Sequence, residues 1–237
     1  MGSEMCIRDS YYSKGPVVIY GILFPIFLFL TFTIGRHLAP DFMIPGLVGM
    51  VLFFTATSIS PIVMPWEAQA RTLERLMSCP VSFGTIILGG ILASFAFGLA
   101  ISLVPIIIGL ALGVSVSSPV IFAVAVLLAA LCFAALGTVF SIPPTNIPAT
   151  ANMIASAIRF PVVFMSGVFI SLNELPTWAQ GVAYISPLTY FTDVARHSMQ
   201  GEGHLPVYVD LLALLAFTVL FLTIAVMMHQ RTMPRRI

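Results

Sequence analysis

Apolar residues fill this chain in long windows, not at the spacing of a one-sided helix or an alternating strand. Free of Asp, Glu, Lys and Arg are 21 residues between Lys14 and Arg36 and 25 between Asp41 and Glu67. A further 83 lie between Arg75 and Arg159, and 20 between Asp210 and Arg231. A helix crossing hydrocarbon needs about 20 such residues. A β-barrel would need alternating polarity over strands of about ten, and these windows are continuously apolar. Turn chemistry divides them into six spans, 16–35, 43–64, 83–112, 120–141, 152–170 and 207–229. The small polar run 113–119 separates the third from the fourth. The proline-rich run from Pro143 to Pro148 separates the fourth from the fifth. The fold class is therefore all-α integral membrane, in one transmembrane domain.

Composition agrees. Charged residues are 8% of the chain, against about 25% in soluble domains. That excludes an ordinary soluble enzyme, a disordered chain and a nucleic-acid binder, which would need a basic face. The three cysteines, Cys6, Cys79 and Cys132, are too few and too far apart for a disulfide framework or a zinc site.

Six spans put both termini on one side. With that side cytoplasmic, Arg8, Lys14, Arg71, Arg75, Arg231, Arg235 and Arg236 lie inside, and Arg36 and Arg196 outside. Seven against two fixes the orientation by the positive-inside rule. Residues 1–10 read as an assembly artefact. Met5–Cys6–Ile7–Arg8–Asp9–Ser10 is what the end sequence of a common sequencing-library transposon would encode. On that expectation the transmembrane unit is 11–237 and the natural N-terminus is missing.

Three features break the apolar monotony. The first is the inner loop 65–82, which reads as a short amphipathic helix. Trp66, Ala70, Leu73 and Met77 form one stripe. Glu67 with Arg71, and Arg71 with Glu74, pair along a helix face, and Pro80 ends it. From pattern alone, such a helix could equally lie on the bilayer. The second is the outer segment 171–206, too apolar for a solvated loop, with short helices expected over 176–185 and 187–197. Ser186 suits an N-cap with Pro187 in the first turn, and Trp178, Tyr184 and Tyr190 suit an interface. These helices either dip into the outer leaflet or lie on the surface as connectors. The third is Arg159 inside span five, about seven residues from its inner start. Snorkelling or structural pairing stands slightly ahead of substrate contact there.

The absences are informative. With Lys14 the only lysine, there is no phosphate-binding loop of the Gly-x-x-x-x-Gly-Lys type. No metal-site spacing joins His37, His197, His204 and His229, and no metal is expected. No Asp or Glu is expected within the membrane-embedded part of any span, which argues against a self-energised, proton-coupled transporter.

The run Thr72–Leu73–Glu74–Arg75–Leu76–Met77–Ser78–Cys79–Pro80, preceded by Glu67, resembles the signature of ABC-2 type permeases. In that family it commonly reads Gly-Thr-Leu-Glu-(any)-Leu-Leu-(any)-(any)-Pro, with Arg71 here in place of Gly. A second match is Gly167–Val168–Phe169, Leu175–Pro176–Thr177–Trp178 and Ser186–Pro187–Leu188–Thr189–Tyr190, ending at Arg196. Ser186 replaces the commoner Asn.

The resemblance implies a permease subunit of an ATP-driven exporter of drug, lipid or glycolipid type, in a prokaryotic plasma (inner) membrane. It implies a separate ATPase partner that holds ATP and magnesium, a second permease chain and surrounding lipid, with no catalysis or cofactor in this chain. Trp66, Glu67, Arg71, Leu73, Glu74, Arg75, Leu76 and Pro80 would form the coupling helix that docks on the ATPase. Trp178, Pro187, Tyr190 and Arg196 would belong to re-entrant outer gate helices. By the same analogy Thr55, Thr57, Ser58, Asn152, Ser156, Arg159, Phe160, Phe164 and Ser166 would line the substrate cavity. Hydroxyls bonding back to their own helix are the equal alternative. The competing classes are a standalone secondary transporter or channel, which would need an ion-coupling site, and an intramembrane enzyme, which would need a paired acid, His or metal site.

Overall fold

The computed structural model describes residues 23, 27, 40–69, 83–142, 148–169, 172, 176–201 and 203–232. Among these the chain has seven helices and no strand. They are α1 (Pro40–Gln69), α2 (Phe83–Ala111), α3 (Pro119–Phe140), α4 (Pro148–Met165), α5 (Thr177–Ala183), α6 (Pro187–Gln200) and α7 (Val207–Thr232). Four of them are long and apolar enough to cross a membrane, over Phe42–Val63, Gly84–Ala111, Pro119–Phe140 and Val207–Met228. The expected span 16–35 lies outside the described residues.

The boundaries follow local chemistry. Span two was expected over 43–64, but α1 continues through Pro65 to Gln69. Trp66 and Glu67 thus prolong the second span instead of opening a separate short helix. Gly113, at φ 85°, takes the left-handed conformation just beyond α2. Span five was expected from 152, and α4 instead begins at Pro148. A proline in the first helical position lacks only an N–H that would have no partner there. At about 1.5 Å per residue, the 18 residues of α4 are short for a full crossing.

α1 is the hub, packed on α2, α3, α4 and α6, while α7 lies against α3 and α6. Rings bind the centre edge to face: Phe53 meets Phe133 at 5.2 Å between centroids, and Phe133 meets Phe191 at 6.4 Å. Small residues let the backbones approach. A methyl group on Gly109 would come within 2.6 Å of Ile44, so the Gly109 step serves packing inside the subunit, as expected. Among hydroxyls, Ser60 Oγ lies 3.1 Å from Thr138 Oγ1 and 3.3 Å from Ser94 Oγ, joining α1, α2 and α3.

Several contacts collect at one end of the bundle. The Ser118 N–H donates to the Ser198 carbonyl at 3.2 Å, Gly46 abuts Val168, and Phe42 lies under Arg196. The turn after α2, the end of α4 and the segment carrying α6 therefore share a side. This is the grouping that the alternation of spans requires.

Gly137 of α3 faces the α1 backbone, where an added methyl would stand 2.8 Å from Thr57 Cα and 2.9 Å from its carbonyl oxygen. The neighbours there are backbone atoms and cannot rotate away. Gly137→Ala should therefore destabilise the folded protein by about 1–3 kcal/mol, the usual cost of overpacking. Thermal unfolding in detergent micelles would read this as a lowered midpoint, and an unchanged midpoint would contradict the packing.

Candidate transport core and outer gate

The core of the bundle holds a polar cluster built on a proline. Pro61 has no N–H, so the carbonyl of Thr57, four residues earlier in α1, loses its helical donor. Arg159 of α4 replaces it, donating from one terminal nitrogen to Thr57 O. Its other terminal nitrogen donates to Ser58 Oγ at 3.2 Å and to Asn152 Oδ1 at 3.3 Å. The Phe140 ring of α3 lies 5.7 Å from the guanidinium carbon. Arg159 is fully buried and sits eleven residues into α4, so it does not snorkel. Of the readings left open by the sequence, structural pairing within one chain is the one these contacts show.

The other residues expected to line a cavity divide by exposure. Thr57 Oγ1 donates to Phe53 O at 2.6 Å, Ser58 Oγ to Phe54 O at 2.5 Å and Thr55 Oγ1 to Val51 O. Ser166 Oγ donates to Val163 O at 2.9 Å. All four hydroxyls are buried and bond back to their own segment. Asn152 is buried, Ser156 and Phe160 are half-buried, and Phe164 is exposed.

The outer segment is built as its capping chemistry predicts. Ser186 Oγ accepts from the Leu188 N–H at 3.2 Å, Pro187 opens α6, and Gly201 at φ 76° closes it. Thr189 Oγ1 donates to Ala183 O at 2.6 Å, and the Tyr190 hydroxyl donates to Tyr184 O at 2.9 Å, fastening α6 to α5. Most of α6 is buried, Pro187 and Arg196 included. It is part of the bundle and not a surface connector. Trp178 on α5 is 69% exposed. Arg196 donates to Gly167 O at 2.7 Å and Val168 O at 3.3 Å, with its guanidinium carbon 4.2 Å from the centre of the Phe42 ring. Burial lowers this guanidinium to about 10, opposed by the nearby Asp193 carboxylate, so it stays charged at neutral pH.

Two hollows flank these groups. One, of about 670 Å³, is lined by Phe42, Asp193, Arg196, His197 and His204 among others. The other, of about 240 Å³, is an apolar groove among Leu136, Phe140, Ile158, Pro161, Val182 and Phe221. No group of three or more His, Cys, Asp or Glu able to hold a metal occurs among the described residues.

The coupling residues Arg71, Leu73, Glu74, Arg75, Leu76 and Pro80 lie outside the described residues, as do the Trp66 and Glu67 side chains. Sequence reasoning missed Pro61, Gly137, Asp193 and Asp210. The Pro61 signal was available, because a proline inside an apolar span leaves a carbonyl to be satisfied. The expectation of no acid within a span is corrected. Asp210 belongs to the first turn of α7, inside the fourth candidate span, and is 1% exposed.

An apolar helical bundle with an intramembrane Arg and a buried outer helix pair is the build of a membrane transport subunit. The chain belongs to the ABC-2 type transporter family, whose model matches residues 4–200. It is 26% identical over 192 residues to the inner membrane transport permease YadH of Escherichia coli K12, covering 81% of this chain and 75% of that one. The Shigella flexneri permease of the same name matches equally. ABC transporter G family member 20 of Dictyostelium discoideum is 27% identical over 193 residues, which is 79% of this chain but only 26% of that one.

The Arg159 cluster makes a coupled prediction. Arg159→Met should strand the Thr57 carbonyl and cost about 1–3 kcal/mol. In a Pro61→Ala background the restored N–H re-forms the helix bond, and the same change should cost about 1 kcal/mol less. A thermal-stability double-mutant cycle measures this; strictly additive effects would show that Arg159 does not serve that carbonyl.

Proposed function

We propose that the protein is the permease subunit of an ATP-driven exporter that moves an amphipathic or apolar substrate outward. Membership of the ABC-2 family carries this reading. Three further observations support it. The chain has no phosphate loop of its own, so the energy must come from a separate ATPase. The groove of about 240 Å³ is apolar. The buried α6 and its partner α5 match the expected re-entrant gate carrying Trp178, Pro187, Tyr190 and Arg196.

In this reading six spans cross an inner membrane with both termini inside. Two permease chains enclose the cavity, and the nine residues from Thr55 to Ser166 named above face it or brace its wall. ATP binding would close two ATPase subunits and push on the segment from Trp66 to Pro80. Because α1 runs unbroken to Gln69, a push at Trp66 would pass straight into the hub helix. From there it would reach α4 through Arg159 and α6 through Phe191. A standalone proton-coupled transporter gains one observation, the buried Asp210. A carboxyl at one end of the bundle is not a relay across it.

Leu73→Asp with Leu76→Asp should abolish co-purification of the ATPase encoded beside this chain and stop transport, while membrane insertion stays normal. The assay is affinity capture from mild detergent followed by transport in vesicles. Undiminished ATPase capture by the double variant would sink the coupling assignment. Solute movement without ATP would favour the standalone reading.

A further inference from the structure

Asp193 and Asp210 meet where α6 packs against α7. The Asp193 carboxylate is 4% exposed and is held by backbone donors. The His204 N–H reaches its two oxygens at 2.9 and 3.1 Å, and the Leu205 N–H reaches Oδ2 at 2.8 Å. Asp210 is 1% exposed, and neither of its oxygens has a hydrogen-bond donor. Its carboxyl is in hydrogen-bonding contact with that of Asp193.

The surrounding groups do not neutralise two negative charges. From α6, Arg196 is committed to the Gly167 and Val168 carbonyls and to the Phe42 ring, and His197 lies against Gly203. The Tyr190 phenol faces the pair but donates to Tyr184 O. From the turn, the His204 ring stacks on Tyr184 at 6.5 Å. Tyr208, on α7 itself, is exposed. Among the described residues no cation reaches ion-pair distance of either carboxylate, and no third metal-ligating side chain joins them. Two carboxylates in contact and out of water cannot both ionise at modest cost. A proton fits the gap, whereas a metal ion would need more ligands.

We propose that Asp193 and Asp210 form a proton-binding site that latches α6 to α7 at the outer end of the bundle. The proton rides on Asp210 and is donated to Asp193, whose remaining lone pairs hold the turn at His204 and Leu205. That turn, with Asp193, walls the cavity of about 670 Å³. Releasing the latch breaks the Asp210 O–H bond, sends the proton to solvent through that cavity and leaves two carboxylates in contact. Their repulsion frees the turn and opens the cavity, with no electron transfer. The site thus couples the proton activity of the compartment it faces to the state of the gate. Which compartment that is rests on the orientation proposed above.

Two measurements on the purified full chain in liposomes test this. Infrared difference spectroscopy on titration should show the C=O band of a protonated carboxylic acid at neutral pH, absent in Asp210→Asn. No such band, or one untouched by that change, overturns the proposal. So does a band abolished by added calcium or sodium at constant pH, which would assign the pair to a metal ion. For the latch, His204→Cys, in a background with the three native cysteines changed to Ser, keeps the backbone donor and reports exposure of the turn. Labelling by an impermeant maleimide, corrected for the reagent's own pH dependence, should rise up to about tenfold per pH unit above the point of proton loss. It should be flat with pH in Asp210→Asn, whose amide still donates to Asp193. A pH-independent rate in the parent background overturns the latch. Labelling only from the lumen of right-side-out vesicles would show that the orientation is wrong and leave the infrared result standing.

Discussion

In hydrocarbon every backbone N–H and C=O must find a partner inside the protein, because no water is there to serve it. Pro61 breaks that rule in the middle of the hub helix. Arg159 mends it from another helix, and the arrangement of α1, α3 and α4 depends on that repair. The guanidinium must lie at the depth of the Thr57 carbonyl, which fixes the axial register of α4 against α1. The same carbonyl is approached by the α3 backbone at Gly137, so α3 is fixed at that level too. An intramembrane Arg costs about 2.5–3.5 kcal/mol on insertion scales. Hydrogen bonds to Thr57, Ser58 and Asn152 offset that cost here, and the Phe140 ring shields the guanidinium.

Around this point the bundle holds two kinds of polar contact. Hydroxyls on α1, α2 and α3 bond mostly to their own helices and touch each other at Ser60, Ser94 and Thr138, which gives cohesion without charge. Charged side chains are confined to the Arg159 cluster at mid-depth and to the outer end, where Arg196 and Asp193 each cap irregular backbone. Arg196 serves the carbonyls at the end of α4, and Asp193 serves the N–H groups of the turn before α7. The outer gate is thus held by charge-assisted bonds to backbone, which are strong while formed and sensitive to a change of charge nearby.

Much of the architecture was legible from windows and caps. The apolar windows found all four long spans, and Ser186–Pro187 located the start of α6 because capping is a local interaction. The Gly109 step was read correctly as internal packing. The boundaries at Pro65 and Pro148 were misplaced for one reason: proline was treated as a stop signal. In α1 it is tolerated because another helix supplies the missing bond. In α4 it is tolerated because the first turn needs no donor. Asp210 was passed over because it stands at the edge of an apolar window, where a carboxylate would normally reach water. Only the packing of α6 over it shows that it does not.

Length of apolar windows, scarcity of charge and two short motifs determined that this chain is a helical membrane protein of the ABC-2 type. Those properties are set by transfer into lipid and by local capping, and both are written residue by residue. Tertiary structure decided that Arg159 serves a carbonyl on another helix, that α6 is buried rather than draped over the surface, and that Asp193 meets Asp210. Each of these joins residues 17 to 102 positions apart. Such pairings depend on which helix faces meet, and periodicity along one strand of sequence carries no record of that.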